Sequence, residues 1–137
     1  MNELWTHSPF TQLRFHCSKQ QGRTFHVTTF ANSTGEAVVK YFSGQTDVQP
    51  DACGSFVRME NDNSVLAGNC GQWGFNGTSF YVGKWGAATD QDRLYNHGAF
   101  IANSSHWLLT PGGLRWECDD YNNIGVSSGD FWKVFVR

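Results

Sequence analysis

The sequence contains no run of Lys or Arg, and its ten basic residues are outnumbered by twelve Asp and Glu, for a formal charge of −2. Such a balance offers no broad electrostatic footprint for a polyanion, so nucleic acid is not an expected partner. No stretch approaches the roughly 18 consecutive apolar residues of a membrane-spanning helix, which argues for a soluble domain without membrane insertion. Strong helix formers are scarce. No Cys-x-x-Cys pair is present, so the spacing used by zinc and redox sites is missing. There is also no nucleophile elbow, no His-Glu-x-x-His helix and no Gly-rich phosphate loop. A small glycoside hydrolase would need two of Glu36, Glu60, Glu117 and Asp130 as acid and base, and nothing in their spacing marks a pair. The expectation is a binding module and not an enzyme. The opening Asn2-Glu3-Leu4-Trp5 lacks the positive and then apolar pattern of a signal peptide.

What is present is aromatic: eleven Phe, six Trp and four Tyr, with fifteen Gly. Bulky rings suit pleated surfaces and Gly supplies tight turns, which together predict an all-β protein. Its 137 residues form one domain, 1–137, because two halves would each be too small to bury a good core. Strands are expected at Arg23 to Phe30 and, across an Asn32-Ser33-Thr34-Gly35 turn, at Ala37 to Phe42. Others are expected at Ser55 to Met59, Ser79 to Lys84, His97 to Ala102, His106 to Leu109, Leu114 to Cys118 and Phe131 to Val136. Ala87 to Tyr95 is the one expected helical turn. The spacing fits a compact antiparallel sandwich or barrel.

Cys17, Cys53, Cys70 and Cys118 make two disulfides the simpler reading. Three connectivities are open, and Cys53 with Cys70 and Cys17 with Cys118 is the favoured one. Disulfides, together with Asn-x-Ser/Thr sequons at Asn32, Asn76 and Asn103, point to a secreted, extracellular protein.

Gln49-Pro50-Asp51 and the following Glu60-Asn61-Asp62-Asn63 form a candidate Ca²⁺ site, since calcium takes 6–8 oxygens from carboxylates, amides and water. The expected ligands are Gln49, Asp51, Glu60 and Asp62. A neutral amide beside a carboxylate also gives a donor and an acceptor for sugar hydroxyls. A second acidic group, Glu117, Asp119 and Asp120 with Asp130 nearby, is the alternative metal site, although alternation places Arg115 beside Glu117 as a surface pair. Trp73, Trp85 and Trp107 are candidate platforms for the apolar face of a sugar ring, and His97 and His106 are candidate hydroxyl donors.

The Gln-Pro-Asp tripeptide resembles the one with which galactose-selective C-type lectins hold calcium and two vicinal hydroxyls, Glu60-Asn61-Asp62 standing where that family has Trp-Asn-Asp. The C-type fold is not implied. Further segments, Gln49-Pro50-Asp51-Ala52-Cys53-Gly54, Gly83-Lys84-Trp85-Gly86, Leu94-Tyr95-Asn96-His97, Trp116-Glu117-Cys118-Asp119-Asp120 and Gly129-Asp130-Phe131-Trp132-Lys133-Val134, are similar to a family of secreted marine-invertebrate domains. That family includes the calcium-dependent, galactose-specific lectins of sea anemones. The resemblance implies a β-rich lectin whose Ca²⁺ coordinates the 3- and 4-hydroxyls of terminal galactose. Gln49, Asp51 and Asn61 would contact the sugar, and the domain would act as a homo-oligomer, a dimer or larger. The alternative is a calcium-stiffened adhesion or matrix domain without sugar specificity.

Overall fold

The computed structural model describes residues 11–86, 100–101, 106–109, 116–120 and 127–137. It is an antiparallel β domain with little helix and two disulfides. Strands β1 (Leu13–Ser18), β2 (Thr24–Thr29), β3 (Phe56–Arg58) and β7 (Phe131–Val136) form a sheet in the order β3-β2-β1-β7. A second sheet orders β4 (Phe100–Ile101), β5 (His106–Leu109) and β6 (Trp116–Asp120). Two short helices, α1 (Ser33–Phe42) and α2 (Val65–Gly68), complete the described elements together with a 3-10 turn at Cys70–Gln72.

The alternation of β1 sets the first sheet in place. Leu13, Phe15 and Cys17 are buried, while the intervening Arg14, His16 and Ser18 turn outward. Cys17 is bonded to Cys118 on β6, so one disulfide ties the two sheets together. Trp132 of β7 adds a second tie, its indole N–H donating to the Glu117 carbonyl at 3.0 Å. The rings of Phe42, Trp85 and Trp107 meet Phe15 with centroids 5.0 to 5.5 Å away, in the tilted and edge-on geometries that aromatic quadrupoles favour. Both sheets and α1 therefore share one aromatic core.

Several sequence expectations are revised. Ala37 to Phe42 is not a hairpin strand but the body of α1. Asn32 caps it, its Oδ1 accepting the Gly35 N–H at 3.0 Å, and Glu36 pairs with Lys40 one turn on. Gly35, Val38, Val39 and Phe42 are buried at helical spacing. A Cβ on Gly35 would collide with the Phe30 carbonyl oxygen, so the helix enters against that backbone only because the residue is Gly. The strand β1 and the helix α2 had no counterpart among the expected elements. Ser79 to Lys84 forms no strand and makes only isolated bridges, Phe75 with Phe80 and Asp51 with Lys84. Ala87 to Tyr95, Asn103 and Arg115 lie outside the described residues. Both favoured disulfides are present, Cys17–Cys118 and Cys53–Cys70.

Candidate functional site

Gln49-Pro50-Asp51 runs antiparallel to Gly83-Lys84-Trp85-Gly86. The Trp85 N–H donates to the Pro50 carbonyl at 3.0 Å, and the Ala52 N–H to the Gly83 carbonyl at 3.0 Å. Two of the segments singled out in the sequence thus lie side by side. Each is anchored from beneath: Trp85 is fully buried and its indole N–H donates to Ser55 Oγ at 2.8 Å, while Cys53 is bonded to Cys70.

On this platform the Asp51 carboxylate is 72% exposed and accepts from the Lys84 ammonium. Gln49 donates both of its side-chain N–H bonds inward, to the carbonyls of Trp85 at 2.9 Å and Gly86 at 3.1 Å. Its amide therefore offers a ligand its acceptor oxygen and not the donor expected from the sequence. The resulting trio is an amide oxygen, a carboxylate and an ammonium on a doubly anchored loop.

Glu60, Asn61 and Asp62 do not join it. Asp62 is spent on its own fold: Oδ1 accepts the His26 N–H at 2.8 Å and the Ser64 hydroxyl at 2.9 Å, and Oδ2 accepts Arg58 Nε at 2.7 Å. Asn61 Oδ1 sits 2.6 Å from His26 Nδ1, and Asn63 Oδ1 accepts the Thr24 N–H at 2.7 Å. These side chains extend the ladder of β2 beyond the end of β3, which is what Asn and Asp do in turns. Glu60 is exposed on the same strap.

A calcium ion needs several oxygens converging, and preferably more than one uncommitted carboxylate. The loop supplies one carboxylate, already held by Lys84, and no three His, Cys, Asp or Glu converge among the described residues. In this structure Asp51 is paired with Lys84, and Asp62 with Arg58, Ser64 and the His26 N–H. The alternative acidic group is likewise engaged. Asp119 accepts from Arg23 and from the N–H groups of Val65 and Leu66, Asp120 is paired with Lys19 at 3.1 Å, and Asp130 accepts from Gln20 and Ser127 N–H. Glu117 is not a surface residue. It is 1% exposed, with His106 Nδ1 3.8 Å from its carboxylate.

Trp73, Trp85 and Trp107, at 0, 0 and 3% exposure, are core rings and present no face to a sugar. Trp73 stacks on Phe56 instead, at 5.7 Å. His106 is buried as well, and His97 lies outside the described residues. The exposed aromatics near the loop are ones the sequence did not single out, Phe80 and Tyr81, close in the chain to Lys84. Tyr81 has φ of 64°, a left-handed conformation that a bulky residue rarely adopts and that recurs at ligand sites. Nothing in the local sequence signals that strain. Comparison with known proteins returns no family model, no curated protein and no solved structure that matches the chain.

Proposed function

We propose that the domain is an extracellular lectin that binds terminal galactose at the Gln49, Asp51 and Lys84 loop. The observation that carries this reading is an exposed carboxylate paired with an ammonium, beside the Gln49 amide on a loop fixed by Cys53–Cys70 and by buried Trp85. Vicinal hydroxyls each donate and accept, so the two oxygens would take hydroxyl protons while Lys84 would donate to a hydroxyl oxygen. Tyr81 and Phe80 would cover the apolar face of the ring. The two disulfides suit an oxidising compartment. Because single sugar sites are weak, the domain would act as a dimer or larger oligomer.

A glycan array with and without EDTA, followed by calorimetry on terminal galactosides, tests this. Galactoside retention that survives EDTA, and that Asp51→Asn and Lys84→Gln each abolish while leaving the melting temperature unchanged, is the expected result. Wild-type galactose affinity in Asp51→Asn would sink the assignment. Retention lost in EDTA would replace direct hydrogen bonding with a metal-bridged site.

A further inference from the structure

The outward face of the first sheet carries a second, independent pattern. Pairing of β1 with β7 sets Arg14 opposite Phe135, His16 opposite Lys133 and Ser18 opposite Phe131, and backbone hydrogen bonds continue the ladder to Gln12 and Arg137. Along β7 the outward positions therefore read Phe131, Lys133, Phe135, Arg137, with aromatic and cation alternating at about 7 Å, two residues of strand rise. The Arg14 guanidinium lies 4.0 Å from the centre of the Phe135 ring, and the Lys133 ammonium 4.7 Å from that of Phe131. A groove of about 290 Å³ opens between Arg14, Thr28, Met59, Phe135 and Arg137.

Charge pairing singles this face out. Lys19, Arg23, Lys40, Arg58 and Lys84 each have a carboxylate partner, in Asp120, Asp119, Glu36, Asp62 and Asp51. Among the described residues Arg14, Lys133 and Arg137 have none, and all three stand on the same sheet face. His16, stacked on His26 at 3.6 Å between them, responds to that field. Its pKa is lowered to about 4, first by burial and then by His26, Arg14 and Lys133.

We infer that this face is a binding site for a linear acidic polysaccharide, with its sulfate or carboxylate groups on Arg14, Lys133 and Arg137 and its sugar rings against the Phe131 and Phe135 edges. Single-stranded nucleic acid is the lesser fit, because base stacking requires free ring faces and here the cations lie over the rings of Phe131 and Phe135. Two disulfides also suit an oxidising compartment, where acidic glycans are the common polyanions. The inference does not depend on the galactose reading, which uses a different loop.

Calorimetry of the intact, oxidised protein with a heparin-derived octasaccharide tests it. Binding is expected to weaken at least tenfold in Arg14→Gln/Lys133→Gln, with a shallower dependence on salt, and to stay unchanged in Lys84→Gln, which removes a cation from the other loop. The NMR titration midpoint of His16 should rise when the octasaccharide is bound, because the anion offsets the neighbouring cations. Four outcomes would overturn the assignment: no binding by the wild type, equal loss in Lys84→Gln, an oligothymidylate of equal charge that binds more tightly with the same variant dependence, or a change of oligomeric state in the double variant.

Discussion

Asp119 Oδ1 accepts the backbone N–H of Leu66 at 2.7 Å, which joins β6 to the first turn of α2. Oδ2 takes the neighbouring Val65 N–H at 2.8 Å and also Arg23, so one buried carboxylate satisfies two helix N-terminal donors and a guanidinium. Its φ of 56° is a left-handed conformation that Asp and Asn tolerate better than most residues. Asp119→Ala should cost about 3 kcal/mol in urea denaturation, three charge-assisted hydrogen bonds being lost together. Asp119→Asn, which keeps an acceptor and the backbone tolerance, should lose visibly less. Equal losses in the two variants would mean that the capping geometry is not what stabilises this joint.

Lys19 and Asp120 form a buried ion pair, with side chains 0 and 4% exposed. Lys19 also lies 5.7 Å over the Trp132 ring. Asp120→Ala, which removes the carboxylate partner of the ammonium and the acceptor of the Cys118 N–H, should destabilise by about 3–5 kcal/mol, whereas Lys19→Met/Asp120→Leu should recover most of that loss. A double-mutant cycle from denaturant midpoints measures both. A double variant no more stable than Asp120→Ala would show that the pair is needed as such.

The two disulfides close loops of very different length, 101 residues for Cys17–Cys118 and 17 for Cys53–Cys70. Chain entropy assigns about 4–5 kcal/mol to the longer loop and about 3 kcal/mol to the shorter. Cys17→Ala/Cys118→Ala should therefore melt well below Cys53→Ala/Cys70→Ala. The second variant should instead lose galactoside retention first, because its disulfide braces the Gln49 to Asp51 loop.

Acid should weaken the fold through His16. The native imidazole resists protonation until about pH 4, while in the unfolded chain it takes a proton near its ordinary value of 6.5. The unfolded state thus binds more protons in that interval, and stability falls as pH drops from about 6.5 toward 4. Arg14 and Lys133 face the ring beside His26, so neutralising them in Arg14→Gln/Lys133→Gln should shrink the effect. Urea midpoints across pH 4–8 in His16→Gln check it, and a pH slope identical to wild type would exclude His16 as the source.

Alternation in the local sequence marked several of the strands but not β1, Leu13–Ser18, which alternates just as regularly. Phe131 to Val136 and His106 to Leu109 are strands at the expected positions, and Thr24 to Thr29 lies within the expected Arg23 to Phe30. It misread Ala37 to Phe42 because Val38, Tyr41 and Phe42 suit a strand or a helix equally over so short a run. The Asn32 cap and the contact of Gly35 with Phe30 decide the matter. The candidate site divided in the same way. Gln49 and Asp51 stood out as chemistry, but their neighbour Lys84 comes from 33 residues away, and no spacing rule reaches that far.

Composition and periodicity by themselves determined an aromatic, antiparallel β domain with two disulfides, because side-chain alternation and ring volume are local properties. Only the tertiary structure decided which carboxylates are free. Asp62, Asp119 and Asp120 look like ligands in the sequence and prove to be structural acceptors, since buried N–H groups and cations from distant strands consume them. A formal charge of −2 also conceals a sheet face on which Arg14, Lys133 and Arg137 have no carboxylate partner among the described residues, because net charge sums over the chain while a ligand meets one face at a time.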